Sequence, residues 1–284
     1  MTNQPILRQI DHVFVAVEGA RSAFELLRKR LGLVPVFPFS DFGAFASGSF
    51  NLGNIFLEIL EAMPGFPRSS PGALEVNGIA FEPSPIDDAI AELASRGIAH
   101  APPMEVIVPA EAGPLVPDIV VTPDFQDGMK PGSPMFTNVF LPGFFGDGIV
   151  VFGSRHEYAQ VSVVRDGMRR RLDDMPDRLL PIDSVAEVVV GAADVESARA
   201  RWQSLLDPFA GEGPGVWRFE DGPTLRLIEN DRDAVVRLVL HVSDLERTKR
   251  YLEQHDLLGS EDGHELTIRP AALQGLNLTL VGGD

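Results

Sequence analysis

The sequence contains no cysteine, which excludes disulfide cross-links, thiolate nucleophiles and Cys-based metal sites from the start. It also lacks any run of about 18 consecutive apolar residues, the length a bilayer-spanning helix requires. The opening Met1-Thr2-Asn3-Gln4 has none of the basic-then-apolar order of a secretion signal, so we expect a soluble, cytoplasmic protein. Positive charge is scarce: 24 Lys and Arg face 41 Asp and Glu, a formal net charge of −17. Nucleic acids and anionic membranes need clustered cations, so neither is an expected partner. No Gly-x-Gly-x-x-Gly follows the first strand pattern, and there is neither a Walker loop nor a Gly-x-Ser-x-Gly. Dinucleotide, nucleoside-triphosphate and serine-hydrolase chemistry by those routes is set aside. Trp and Tyr number only two each against 18 Phe, so any aromatic-lined cavity is a Phe-lined one.

What is present centres on Asp11-His12-Val13-Phe14-Val15-Ala16-Val17. Val13, Val15 and Val17 alternate with His12, Phe14 and Ala16, the period of a strand with two distinct faces. From Gly19 to Leu31 the spacing becomes helical, with Ala23, Leu26, Leu27 and Leu31 on one side, Arg21, Arg28 and Lys29 on the other, and Gly32 closing the helix. The same strand, turn and amphipathic helix recur in GIAFEPSPIDDAIAEL, EVVVGAADVESARARW and RLVLHVSDLERTKRYL. Ala23, Ala89, Ala198 and Thr248 each follow their strand start by eleven residues. Asp194 and Asp244 fall where a carboxylate caps a helix N-terminus. Unequal intervals between the copies point to duplicated units with different insertions rather than a solenoid.

In the first unit, Asn54 to Leu60 reads as a strand, and Glu58 stands between Leu57 and Ile59. A carboxylate in so apolar a strand faces either water or a buried partner. These features resemble the vicinal oxygen chelate superfamily, which includes glyoxalase I, extradiol dioxygenases and bleomycin-resistance proteins. The matching features are the Asp-His strand start, the helix ending in Leu-Gly, and Phe-Leu-Glu-Ile-Leu. The resemblance spans about Gln9 to Val281. It implies an α+β fold of four tandem βαβββ modules forming two curved, barrel-like mixed β-sheet domains with flanking helices. We expect the first domain at 8–158 (modules 8–62 and 74–158), a charged linker at 159–181, and a second, degenerate domain at 182–284.

The resemblance further implies a cavity into which a His from the first strand and a Glu from the fourth project to bind a divalent metal ion. His12 and Glu58 match those positions. Imidazole and carboxylate suit Fe, Mn, Ni or Zn and leave coordination sites for a substrate with two adjacent oxygens. The competing reading pairs His12 with Asp11 or a backbone carbonyl and leaves Glu58 solvated. A third ligand normally opens the second module's first strand, where this chain has Gly78; a fourth comes from a late strand, where Gly153 or Arg155 falls. His156, four residues after Phe152, matches an ending found in some glyoxalase-like proteins and is a candidate third ligand; it also reads as a loop histidine. Glu58 is the candidate catalytic acid or base, with Glu61 and Glu82 weaker ones.

Phe136, Phe140 and Phe152 are candidate substrate-pocket residues, the competing role being core. His100 lines the cavity or sits exposed after the second helix. The Pro- and Gly-rich stretch 102–134, with a strand expected at 117–123, covers the cavity mouth or decorates the surface. Residues 159–181, rich in Arg and Asp, read as a self-neutralised, solvated, partly helical linker. The second domain carries Glu187, Arg226, Arg237 and Thr279 at the metal positions, which suits an ion-paired network better than a cation. His241, His255 and His264 lack ligand spacing. Two functions remain: a metal-dependent lyase, isomerase or dioxygenase acting on a small, partly apolar metabolite, or a metal-free protein that sequesters small molecules. Either acts as a monomer or homodimer.

Overall fold

The computed structural model describes residues 5–41, 45–61, 69–70, 72–107, 134–144, 148–154 and 158–283. The first half runs β1 (Leu7–Val17), α1 (Ala20–Leu31), β2 (Pro35–Asp41), β3 (Ala46–Asn51), β4 (Phe56–Glu61), then β5 (Gly78–Pro83), α2 (Ile86–Ser95), β6 (Met104–Ile107), β7 (Pro134–Leu141) and β8 (Ile149–Ser154). Its eight strands lie in the order β2-β3-β4-β1-β5-β8-β7-β6. β1 and β5 pair antiparallel at the centre, and each unit's last strand lies parallel to its first. Two βαβββ units thus meet about a pseudo-twofold axis.

After α3 (Tyr158–Asp173) the plan repeats: β9 (Ile182–Ala192), α4 (Val195–Leu206), β10 (Val216–Trp217), β11 (Thr224–Glu229), then β12 (Ala234–Val242), α5 (Leu245–Gln254), β13 (Leu258–Asp262), β14 (Glu265–Ile268) and β15 (Leu278–Gly282). The second sheet is β10-β11-β9-β12-β15-β14-β13. The sequence predicts four βαβββ units; the third has one strand fewer after its helix, and β10 is only two residues long. The architecture is α+β with two curved mixed sheets, one of them a half-barrel.

Local chemistry fixes the helix starts. Asp194 and Asp244 accept hydrogen bonds from the backbone N–H groups of Ser197 (3.0 Å) and Arg247 (2.7 Å), as the sequence predicts. α1 has no capping side chain of its own. Glu61, at the end of β4, accepts from the N–H groups of Gly19 and Ala20, both at 2.9 Å. That task removes Glu61 from the candidate acids and bases and ties the first helix to the strand carrying Glu58.

Strand parity decides what is core. Val13, Val15, Leu57, Ile59, Ile79, Phe81, Val150 and Phe152 share one face of the first sheet and are almost wholly buried. That face packs on the second half: Phe81 stands 6.3 Å from Trp202 and 6.2 Å from Phe219, ring centre to ring centre. Asn54 adds polar specificity at the junction, donating to the Val185 carbonyl (2.9 Å) and accepting from the Val185 N–H (2.8 Å), so its amide acts as an extra residue of strand β9. Phe152 belongs to this core, with its ring 6.4 Å from Phe81. It is therefore not a pocket residue, because it points away from the face bearing His12.

α3 differs from the solvated linker expected of its charge pattern. Val164 and Met168 pack against Val36, Phe37 and Phe56, and the buried Asn51 amide donates to the Met168 carbonyl at 2.8 Å. The apolar residues are few but spaced one turn apart, so the helix lies across the first sheet with Arg169 and Arg170 outward.

Candidate functional site

The opposite face of the first sheet carries His12, Phe14 and Ala16 from β1, Phe56 and Glu58 from β4, Gly78, Ala80 and Glu82 from β5, and Phe136 and Phe140 from β7. The β1–β5 register slips between Ile10 and His12, inserting Asp11 as an extra residue. Such a bulge bends the strand and re-aims its side chains. Its consequence here is that Asp11 turns back onto its neighbour, with one carboxylate oxygen 2.6 Å from His12 Nδ1. The other ring nitrogen, Nε2, stands 3.5 Å from Glu58 Oε2, and both side chains are about a quarter exposed. His12 and Glu58 thus address the same hollow from adjacent strands. Burial works against the charged imidazole, but the hydrogen bond and charge of Asp11, joined by the charge of Glu58, hold its pKa above the usual histidine value.

The position where the resemblance expects a third ligand is closed. A Cβ on Gly78 would lie 1.7 Å from Phe14 Cζ and 2.1 Å from both Cε atoms. The Phe14 ring occupies the space where a residue 78 side chain would start, and it is packed with Ala80, Val151 and Phe140. Glycine is there because phenylalanine is here. His156 lies outside the described residues, as do the expected strand at 117–123 and most of the 102–134 stretch.

Two donors bonded at about 2.1 Å to one ion lie roughly 3–3.5 Å apart at near-tetrahedral angles, and His12 Nε2 and Glu58 meet that spacing. Asp11 on Nδ1 directs the Nε2 lone pair at the shared point, the carboxylate–histidine arrangement that orients a metal-bound imidazole. The pair therefore fits a divalent ion as two of its protein donors. Among the described residues no cluster of three His, Asp or Glu completes the set.

Sequence reasoning missed Arg165. α3 delivers its guanidinium, only 6% exposed, to 2.6 Å from Glu82 Oε2 and 3.7 Å from Asp11 Oδ1. Arg8 approaches the other Glu82 oxygen at 3.7 Å, and Gln9 donates weakly at 3.4 Å. Glu82 is thus a buried counter-ion, not a free acid or base. A continuous line of charge runs Glu82–Arg165–Asp11–His12–Glu58. The one sequence signal was Glu82 inside an apolar strand, which needs a buried cation somewhere.

Phe140 lies in the cluster around Phe14, and Phe136 is half-buried with its ring 6.4 Å from Phe45. His100 is half-buried, with Nδ1 3.0 Å from the Ala101 carbonyl oxygen. In the second half, the network expected of Glu187, Arg226 and Arg237 is reduced to one ion pair, Arg226 donating two hydrogen bonds to Glu187. Arg237 and Thr279 occupy the other equivalent positions outside that pair.

No family model matches the sequence, and neither does any curated protein. Solved structures do. A hypothetical protein from Staphylococcus aureus matches with a TM-score of 0.56 at 9% identity, covering 97% of this chain and 99% of that one. A triple mutant of 4-hydroxymandelate synthase from Streptomyces coelicolor matches at 0.53 and 14%, covering 98% and 93%. The 2,3-dioxygenase LapB from a Pseudomonas species matches at 0.54 and 9%, again covering 98% and 93%. At these identities the likeness is one of fold, and the fold is dioxygenase-like over nearly the whole chain. No described helix is long and apolar enough to cross a membrane.

Proposed function

We propose that this chain is a vicinal-oxygen-chelate protein in which the first half carries the active site. It acts as a metal-dependent lyase, isomerase or dioxygenase on a small, partly apolar molecule. The observation that carries this reading is the facing pair His12 Nε2 and Glu58 Oε2, 3.5 Å apart, with Asp11 locked onto the far side of the imidazole. His12 and Glu58 would hold the ion; Fe, Mn, Ni and Zn suit the donors. When bound, such an ion supplies Lewis-acid polarisation of an adjacent substrate oxygen.

The chain's own residues do the rest. Asp11 keeps the imidazole in one tautomer, and Arg165 neutralises Asp11 from behind so that two carboxylates can flank one ring. Glu58 is the carboxylate placed to take or return a proton at its Oε atoms. Phe14, Phe136 and Phe140 give the apolar side of the hollow, and α3 covers part of the face.

One observation favours a second reading, a metal-free protein that binds small molecules: Phe14 fills the position of a third ligand. In that case His12 and Glu58 are relics of a metal site or hydrogen-bonding groups, with Asp11 and Glu58 on either side of the imidazole. Elemental analysis of protein purified without chelators or metal-affinity resin separates the two. Near-stoichiometric metal that disappears in both His12→Ala and Glu58→Gln supports the first reading. Metal-free protein whose His12→Ala variant still binds small aromatics as wild type does supports the second.

A further inference from the structure

Strand β3, flanked by β2 and β4 in the first sheet, turns three polar residues toward the face that bears His12 and Glu58. Ser47 stands opposite Leu60, Ser49 opposite Glu58 and Asn51 opposite Phe56, while Phe50 between them stacks on Phe24 of α1, its ring centre 4.3 Å away. Ser47, Ser49 and Asn51 are all buried. Polar groups in such a place need partners. Asn51 has them, donating to the Met168 carbonyl and accepting from the Gly53 N–H at 2.9 Å. Ser49 differs: it is only 6% exposed, and its Oγ is buried with no hydrogen-bond partner among the described residues.

A hydroxyl in that position has given up its bonds to water and gained none in exchange, whereas alanine would fill the same space without the loss. The strand register names the group it can serve. Directly opposed residues of an antiparallel pair have Cβ atoms about 4.5–5.5 Å apart, close enough for a serine hydroxyl to reach a glutamate oxygen. Glu58 is itself under-partnered. Its Oε2 lies 3.5 Å from His12 Nε2, and its carboxylate accepts no hydrogen bond among the described residues. The imidazole, by contrast, is held from behind by Asp11 at 2.6 Å. Of the two facing donors, one is oriented and the other is not. Carboxylates that ligate a metal are ordinarily hydrogen-bonded in their turn.

We propose that Ser49 is a positioning residue for Glu58: its hydroxyl donates to the carboxylate oxygen left free when the other ligates a divalent ion, and so fixes the rotation of the carboxylate. Ser49 then does for Glu58 what Asp11 does for His12. This inference rests on the metal-dependent reading of the His12 and Glu58 pair and adds to it a residue that touches neither ion nor substrate.

The test is titration of manganese(II) chloride, followed by isothermal calorimetry, into chelator-treated and desalted wild type, Ser49→Ala, Ser49→Thr and Ser47→Ala. Ser49→Ala is expected to weaken Mn(II) binding by about tenfold or more, in the range of roughly 10–100-fold for groups that orient metal ligands. Ser49→Thr keeps the hydroxyl and should stay within about threefold of wild type; Ser47→Ala, opposite a leucine, should bind as wild type does. Without metal, the Tm of Ser49→Ala should equal or exceed that of wild type, because the hydroxyl removed has no partner. Undiminished Mn(II) binding in Ser49→Ala overturns the inference alone, as does a loss that Ser47→Ala shares or that comes with a lower metal-free Tm, the mark of a structural serine. Wild type that binds no Mn(II) overturns it together with the reading beneath it. Circular dichroism checks folding, and if Ser49→Thr does not fold, Ser49→Ala against Ser47→Ala decides.

Discussion

Adding one methyl group at Gly78 should have opposite consequences depending on residue 14. In the native protein an alanine Cβ at 78 would sit 1.7 Å from Phe14 Cζ, a little under half the separation of two carbons in contact, about 3.5–4.0 Å. The ring must therefore move by more than 1 Å. It cannot slip cheaply, because Phe14 is only 4% exposed and is held by Ala80, Val151 and Phe140. Overpacking of this kind costs roughly 1–3 kcal/mol. With Phe14→Ala in place the clash is gone. Gly78 does not have positive φ, so the usual advantage of Ala over Gly within a strand, roughly 0.5–1 kcal/mol, applies instead. Urea unfolding of the four proteins in the cycle, followed by circular dichroism, should give a coupling energy of about 1.5–4 kcal/mol, with the sign of the Gly78→Ala effect reversed between backgrounds. Equal destabilisation in both backgrounds would refute the claim that Phe14 occupies the missing side chain's place. If the claim holds, Phe14→Ala combined with Gly78→His should raise affinity for Zn(II) above that of Phe14→Ala alone.

Further perturbations test other parts of the account. Arg165→Met removes the close partner of the buried Glu82, leaving it only Arg8 at 3.7 Å and a weak bond from Gln9, and should cost about 3 kcal/mol, whereas Arg165→Met with Glu82→Leu should recover much of that loss; additive effects in chemical denaturation would contradict a buried pair. Asn54→Ala strips two buried hydrogen bonds from the Val185 backbone and should destabilise by about 2–4 kcal/mol, read as a fall in urea midpoint; an unchanged midpoint counts against the junction as described. Asp244→Ala should cost about 1 kcal/mol through loss of the α5 cap, measured in the same way. His12 has a raised pKa, so its stabilising interaction with Asp11 is fully present below the unfolded value, near 6.5, and is lost as pH rises through the higher folded value. The Tm gap between wild type and His12→Gln should accordingly be wider at pH 5.5 than at pH 8.5, and a pH-independent gap refutes the sign.

The fourfold repeat was legible because strand parity and helix spacing recur in each copy, and the caps Asp194 and Asp244 are local signals that need no tertiary context. His12 and Glu58 were legible as a pair through the positions they share with the ligands of the superfamily the sequence resembles. Phe152 was misjudged because aromatic crowding alone does not reveal parity: one residue of register separates the hollow from the junction core. Arg165 was invisible for a different reason. Its partners Glu82 and Asp11 are 83 and 154 residues away, and a charged segment with few apolar residues looks solvated until the fold shows what it covers. Gly78 reads as a missing ligand in the sequence, and only the Phe14 ring explains why no side chain can stand there.

The central claim is that an imidazole and a carboxylate from neighbouring strands converge on one point. Crystals grown from chelator-free protein and soaked in Mn(II), with anomalous maps recorded at a wavelength sensitive to manganese, test it most directly. The account predicts a peak between His12 Nε2 and Glu58, about 2.0–2.3 Å from each, that vanishes in Glu58→Gln. A map with no peak at that position, or with the two side chains turned apart, would contradict it.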